Sequence, residues 1–294
     1  MPQSASWPNG KRTAVLVSVL FESWSEGRSP SYFPRTTPLK AGATDYGGLQ
    51  WAEYAGREGI WRLTRVLQQY DAHATVFCSG RSGEIFPDAV KHAAKQGHDI
   101  AGHGYVQNEV YSYLTKDEQR ERTRKTLDIL EPLAGKRPNG WATAVYGWND
   151  DTFDMLVEEG VTWYADALNV SLPRKQKTAT GAIWAMPWSD FVDNRVLRGN
   201  PRNYFDVYKD TFDYLHANEP MSLVHVAIHS HFGGRPLMAA MLAKTLEYFR
   251  GQKDVWFPKH VELLKFMDHN GIDEMPYSKR FFAGIVRAAK IKLE

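Results

Sequence analysis

Thr13-Ala-Val-Leu-Val-Ser-Val-Leu-Phe21 is nine residues of almost unbroken apolar and β-branched character, ended by Glu22. A strand that is apolar on both of its faces has to be covered on both, and this is the condition of a parallel strand inside an α/β fold. The segments downstream agree. Ile60, Leu63, Val66, Leu67 and Tyr70 fall at helical spacing, and Ala74 to Cys78 then reads as a second strand. Asp88 to Gln96 reads as a helix stopped by Gly97, with Asp99 to Ala101 as a third strand. Thr115-Lys-Asp-Glu118 has the form of a capping box and opens a helix to Ala134. Asn149 to Glu159 reads as a helix and Val161 to Ala165 as a strand. Gly181 to Pro187 is another strand, and Tyr204 to Asn218 a helix. Met221 to Ile228 is a strand, Leu237 to Arg250 a helix, Asp254 to Phe257 a short strand and Pro258 to Asn270 a final helix. Strict alternation with about seven strands predicts an α/β protein wound as a distorted (β/α) barrel. No linker, repeat or low-complexity stretch divides it, so residues 1–294 are expected to form a single domain.

Composition removes several function classes. The 36 basic and 34 acidic side chains leave a net charge of +2 with no basic run, so there is no nucleic-acid footprint. Arg287 to Lys292 forms a small basic end that reads as a solvated face. Cys78 is the only cysteine, which excludes an internal disulfide and a thiolate metal cluster within one chain and suits a reducing compartment. Met1 to Gly10 has neither a charged n-region nor an apolar h-region, and no stretch approaches the ~20 apolar residues of a membrane span. A cytoplasmic location is expected.

Candidate chemistry gathers at strand ends. Glu22 follows the first strand, His103 follows the third between Gly102 and Gly104, and His229 and His231 follow the late strand ahead of Gly233-Gly234-Arg235-Pro236. In a barrel these ends share one face, where a carboxylate and imidazoles can activate water, stabilise developing charge and protonate a leaving nitrogen. Each has a plainer alternative: Glu22 as a salt-bridged loop residue, His103 in a simple turn, His229 and His231 as hydrogen-bonded structural residues. His98, after the helix-ending Gly97, reads as structural. The segment from Glu22 to Gln50 is rich in Ser, Pro, Gly and Thr and too long for a mere connection, which marks it as a functional loop.

Phe21-Glu22, Gly97 to Tyr105, Lys136-Arg-Pro-Asn-Gly-Trp141 and Ile228 to Pro236 resemble, in order, the successive motifs of the polysaccharide deacetylase superfamily. Glu53 to Leu63, Gly234-Arg235-Pro236 and Val255-Trp256-Phe257 are similar to its intracellular branch of allantoinases and cyclic imide hydrolases. The resemblance implies a distorted barrel that hydrolyses a non-peptide C–N bond and assembles as a dimer or tetramer. Metal-dependent members hold a divalent ion, usually zinc, through an Asp of the first motif and two His of the second. Here Trp24 takes the place of that Asp and Gln107 that of the second His. The expectation is a hydrolase of a small cyclic amide, imide or ureide working without cofactor or metal. A rebuilt zinc site on Glu22, His103 and His229 is kept open, as are a metal-dependent N-deacetylase and a non-catalytic ligand-binding barrel. Within the preferred reading Glu22 is the general base, His103 orients water or stabilises the oxyanion, and His229 protonates the leaving nitrogen. Trp24, Tyr105, Trp141, Trp188 and His231 are candidates for the pocket wall, Asp190 and Asn194 for polar contacts, and Arg235 for a substrate carbonyl or a brace of the Gly-Gly loop.

Overall fold

The computed structural model describes residues 6–282. The basic end at Arg287 to Lys292 lies outside them. Nine strands form one sheet: β1 (Thr13–Phe21), β2 (Thr75–Cys78), β3 (Asp99–Gly102), β4 (Gly140–Trp141), β5 (Trp163–Ala167), β6 (Arg174–Lys177), β7 (Ala182–Pro187), β8 (Ser222–His229) and β9 (Val255–Trp256). Their order is β6-β7-β5-β4-β3-β2-β1-β8, with β9 paired to the start of β1. All pairings are parallel except β6 with β7. The count exceeds the expected seven by β4 and β6. Two residues of β4 give no periodicity to read, and the Arg-Lys-Gln-Lys of β6 is a charged edge strand.

The sheet curls until its ends approach. Val192, beyond β7, makes a single parallel bridge to Ala227 of β8, and the His225 ring donates from Nδ1 to the Pro187 carbonyl at 3.0 Å. The architecture is therefore α/β and barrel-like, with a seam between β7 and β8. A cavity of about 1000 Å3 lies along that seam, lined by Asp190, Tyr208, Leu223 and Arg280 among others.

Alternation along each strand sorts the core into layers. Val15, Val17, Val19 and Phe21 of β1, with Val224, Val226 and Ile228 of β8, face the helices and pack on Leu63 and Leu67 of α2 (Ile60–Gln69) and Leu242 and Leu246 of α8 (Pro236–Arg250). Ala14, Leu16 and Leu20 of β1 and Leu223 and Ala227 of β8 face the barrel interior with Phe77, Trp163 and Trp188. β1 and β8 run in register with Leu20 beside His229. Two residues past Leu20, Glu22 continues the inward row, and His229 ends the inward row of β8. Pleating alone thus aims both at one point.

The capping box forms at the start of α5 (Lys116–Ala134), with the Thr115 hydroxyl accepting from Glu118 N–H and the Glu118 carboxylate accepting from Thr115 N–H. Before α2 the chain is already helical: α1 (Tyr46–Tyr54) runs into a π-helical turn at Ala55–Gly59. That turn presses on the loop after β8, where a Cβ on Gly59 would sit 1.9 Å from the Ser230 carbonyl oxygen and one on Gly234 would sit 2.3 Å from the Gly59 Cα. Only glycines permit this contact, which seats His231 and Arg235.

Candidate active site

Glu22, His103 and His229, placed at the ends of β1, β3 and β8, converge. Glu22 Oε1 lies 3.2 Å from His103 Nε2 and 3.6 Å from His229 Nε2, while Oε2 lies 3.9 Å from His231 Nδ1. All four side chains are buried. His103 gives its Nδ1–H to the Ala142 carbonyl at 3.0 Å, so a proton is held between its Nε2 and the carboxylate oxygen.

His229 is clamped by Asp193, which the sequence reading passed over in favour of its neighbours. One Asp193 oxygen accepts the His229 backbone N–H at 2.9 Å, and the other meets Nδ1 at 2.5 Å. Both ring nitrogens of His229 thus face carboxylates. Burial opposes a charge on this ring, yet Asp193 and Glu22 outweigh it and lift its pKa to about 9. Burial likewise pushes Glu22 up, but His229, the hydrogen bond from His103 and His231 pull it down to about 2. At neutral pH the pair is a carboxylate beside an imidazolium. His231 is the reverse case, lowered to about 3 by burial and by the charge on His229. It is a neutral ring, with its Nε2 3.0 Å from the Tyr32 hydroxyl.

Tyr32 comes from the 22–50 loop, which folds over the site of its own chain. Its hydroxyl also lies 3.5 Å from Glu22 Oε2, and its ring meets Trp51 edge to face. Trp51 and Trp24 both set their rings edgewise against His231, at 4.8 and 5.3 Å between centroids. The length of the loop was the only signal that pointed to Tyr32.

The remaining candidates are distributed. Trp24 and His231 border the cluster, and Trp188 lies in the barrel interior against Phe77, Tyr146 and His225. Trp141 sits fully buried over Gly102 and beside Tyr111, in the outer core. Tyr105 turns away, giving its hydroxyl hydrogen to Glu84 at 2.8 Å beneath Lys125. Asp190 is exposed on the seam cavity, and Asn194 is half-buried beside Asp193. Arg235 braces the loop: its Nε donates to the His231 carbonyl at 3.2 Å and its guanidinium lies over Tyr54. His98 holds a structural place, accepting the Ala74 N–H through Nδ1.

Residues 47–164 match the family model for polysaccharide deacetylase. That stretch is similar to the polysaccharide deacetylase family. The chain is 21% identical over 238 residues to a peptidoglycan deacetylase of Helicobacter pylori, covering 69% of this chain and 81% of that one. Among solved structures, a probable polysaccharide deacetylase from Pseudomonas aeruginosa superposes with a TM-score of 0.81 at 24% identity, covering 91% and 95% of the two chains. Puue allantoinase superposes equally well, with a TM-score of 0.81 at 26% identity over 90% and 93%. Two further curated deacetylase relatives are spanned only to 42% and 47% of their length. These likenesses support a hydrolase acting on non-peptide C–N bonds.

The family's usual metal does not fit the donors present. Trp24 offers an indole, and Gln107 spends its amide N–H groups on Ser79 Oγ and the His103 carbonyl, at 3.1 and 2.7 Å. Ser23 and Ser82 pair hydroxyl to hydroxyl at 2.7 Å nearby. Among the described residues no group of three or more His, Cys, Asp or Glu side chains is arranged to hold an ion. The rebuilt set on Glu22, His103 and His229 is arranged instead as an ion pair, with both imidazoles aimed at one carboxylate oxygen.

Proposed function

We propose that this chain hydrolyses a small cyclic amide, imide or ureide by acid–base catalysis from its own side chains. The observation that carries the reading is Glu22, an ionised carboxylate held between two imidazoles, 3.2 Å from His103 Nε2 and 3.6 Å from His229 Nε2. A water that enters between Oε1 and the imidazoles replaces the contacts that depress Glu22, so its basicity rises as its neighbours are drawn away. Water then attacks the ring carbonyl carbon and passes a proton to Glu22, while the oxyanion takes a hydrogen bond from His103 Nε2. The C–N bond breaks as the nitrogen takes the proton of His229 Nε2. Glu22 returns its proton to His229 across the 3.6 Å that separates them, and both groups recover their starting states. Trp24 and Trp51 supply flat apolar walls suited to a planar ring.

The names of the curated relatives favour a second reading, N-deacetylation of an acylated amine or amino sugar, for which the family resemblance implies a metal. Ring opening of allantoin, hydantoins, succinimide and glutarimide by chelator-treated protein separates the two. Hydrolysis that survives chelation and vanishes in Glu22→Gln supports the metal-free cyclic amidase. Activity that appears only with zinc, on an N-acetylated substrate, sinks it. Silence on every substrate with and without zinc would support the non-catalytic barrel.

A further inference from the structure

β4 ends one residue before a peptide bond with two unusual partners. The carbonyl of Ala142 accepts the Nδ1–H of His103 at 3.0 Å, and the N–H of the same peptide group, belonging to Thr143, donates to Asp166 Oδ2 at 2.7 Å. The Thr143 hydroxyl donates to the same oxygen at 2.9 Å. Ala142 N–H still bonds the Gly102 carbonyl at 2.9 Å, as a ladder requires. One step further, the side chains of His103 from the β3 side and Asp166 from β5 replace the backbone partners. A carboxylate, a peptide plane and an imidazole therefore stand in one line across three neighbouring strands. In a trans peptide the N–H and C=O point in opposite directions, so fixing one fixes the other. A negative charge at the N–H also makes the carbonyl a stronger acceptor.

We propose that Asp166 is a positioning residue of the site: through the Ala142–Thr143 peptide it sets the orientation of His103, and hence the direction in which Nε2 meets Glu22 and a bound carbonyl. The proposal deepens the hydrolase reading and rests on it for its kinetic part only. Asp166 is buried at 1% exposure, and the carboxyl is pushed up to about 6 by burial against the two bonds from Thr143. The charged group that pulls the carboxyl back down is His103, the ring on the far side of the same peptide. The chain therefore carries the cost of a buried acid whose bonds serve the peptide that holds His103.

Protein labelled with 15N in its histidine rings tests this, with the His103 resonance assigned from its loss in His103→Gln. In the native chain the His103 Nδ1–H proton is expected to exchange slowly. In Asp166→Ala it exchanges about tenfold faster or more, and kcat on the ring-opening substrate falls about tenfold or more with KM nearly unchanged, as for a reacting group turned out of line. Asp166→Asn keeps an oxygen facing the Thr143 N–H and recovers most of both losses. Unchanged exchange in folded Asp166→Ala overturns the proposal, as does an Asp166→Asn as impaired as Asp166→Ala. Should Asp166→Ala not fold, Asp166→Asn decides alone, because loss of the slow exchange in that isosteric variant is also incompatible with it. Exchange is read without substrate, so a chain silent in the ring-opening assay would fail the hydrolase reading and leave this one standing or falling on its own.

Discussion

His225 and His229 stand four residues apart on β8, on the same inward face and buried to the same degree. They are chemically opposite. His225 donates from Nδ1 to the Pro187 carbonyl and takes a hydrogen from the Ser18 hydroxyl at Nε2, 2.6 Å away, with the Trp188 ring edgewise on it and His260 beyond. Burial, only partly offset by the bond to Pro187, lowers it to about 4. His229 meets Asp193 and Glu22 and rises to about 9. Burial by itself makes a histidine neutral; a pair of carboxylates makes it an acid that keeps its proton at neutral pH. The lower histidine layer, with His260 bonded to Thr75 Oγ1 and stacked on Trp163, is a post in the core, and the upper layer is the site.

The sharpest way to break this contrast is to remove each ring in turn. His229→Gln takes away the proton donor and is expected to lower kcat by about 100-fold or more, the range of a lost general acid. His225→Gln removes a core hydrogen-bond partner and should lower the melting temperature while kcat stays within about threefold. Equal losses of kcat in the two variants would erase the distinction.

Asp193→Asn tests what makes the upper ring different. The variant keeps an acceptor for His229 but discards a charge, so the alkaline limb of the rate profile should move from about 9 down toward the ordinary value of 6.5. Near pH 8 its kcat should then be about tenfold below the native rate. A limb that stays in place would mean that Glu22 alone holds the proton on His229.

His225 and His229 also predict opposite slopes of stability with pH. His225 has a depressed folded pKa, so between about 4 and 6.5 the unfolded chain binds more protons and stability rises with pH. His229 has a raised one, so its contribution is complete below 6.5 and is lost as pH climbs through about 9. Glu22 adds stability above 4.5 that is lost only as pH falls through about 2. Thermal unfolding followed from pH 4 to 10 should therefore peak near 6.5. His229→Gln should flatten the alkaline decline, and His225→Gln should lessen an acid rise that His98, His231 and His260 share; a decline that persists in His229→Gln refutes the assignment.

Much of this was legible in the chain, for identifiable reasons. The double-faced run at Thr13–Phe21 could be nothing but a covered strand, and strand ends carrying Glu22, His103 and His229 could be placed on one face without knowing any distance. Asp193 could not. It lies in a short turn after a segment with no periodicity, and only the Val192–Ala227 bridge brings it beside β8. Register across a seam leaves no mark on hydrophobic spacing. Trp141 and Tyr105 are expected in the pocket wall, but Gly102 makes room for Trp141 to pack in the outer core, and Tyr105 has a better partner in Glu84.

The smallest expected effect belongs to the lid, and it sharpens the boundary of the site. Tyr32 is the one loop side chain that hydrogen-bonds to both His231 and Glu22, through a hydroxyl 3.0 and 3.5 Å away. Its 3.5 Å contact is long, and Glu22 is already held by two imidazoles, so Tyr32→Phe removes one weak acceptor contact and one good hydrogen bond to a neutral ring. The cost should be about 1 kcal/mol in stability and less than about fivefold in kcat. KM should respond more than kcat, because the loop must lift from a buried site to admit a substrate and then settle on it. Steady-state kinetics on the ring-opening substrate read both constants. A fall in kcat as large as that of His229→Gln would move Tyr32 from the cover of the site into its chemistry, and would make the neutral His231 and the hydroxyl beside it part of the proton path.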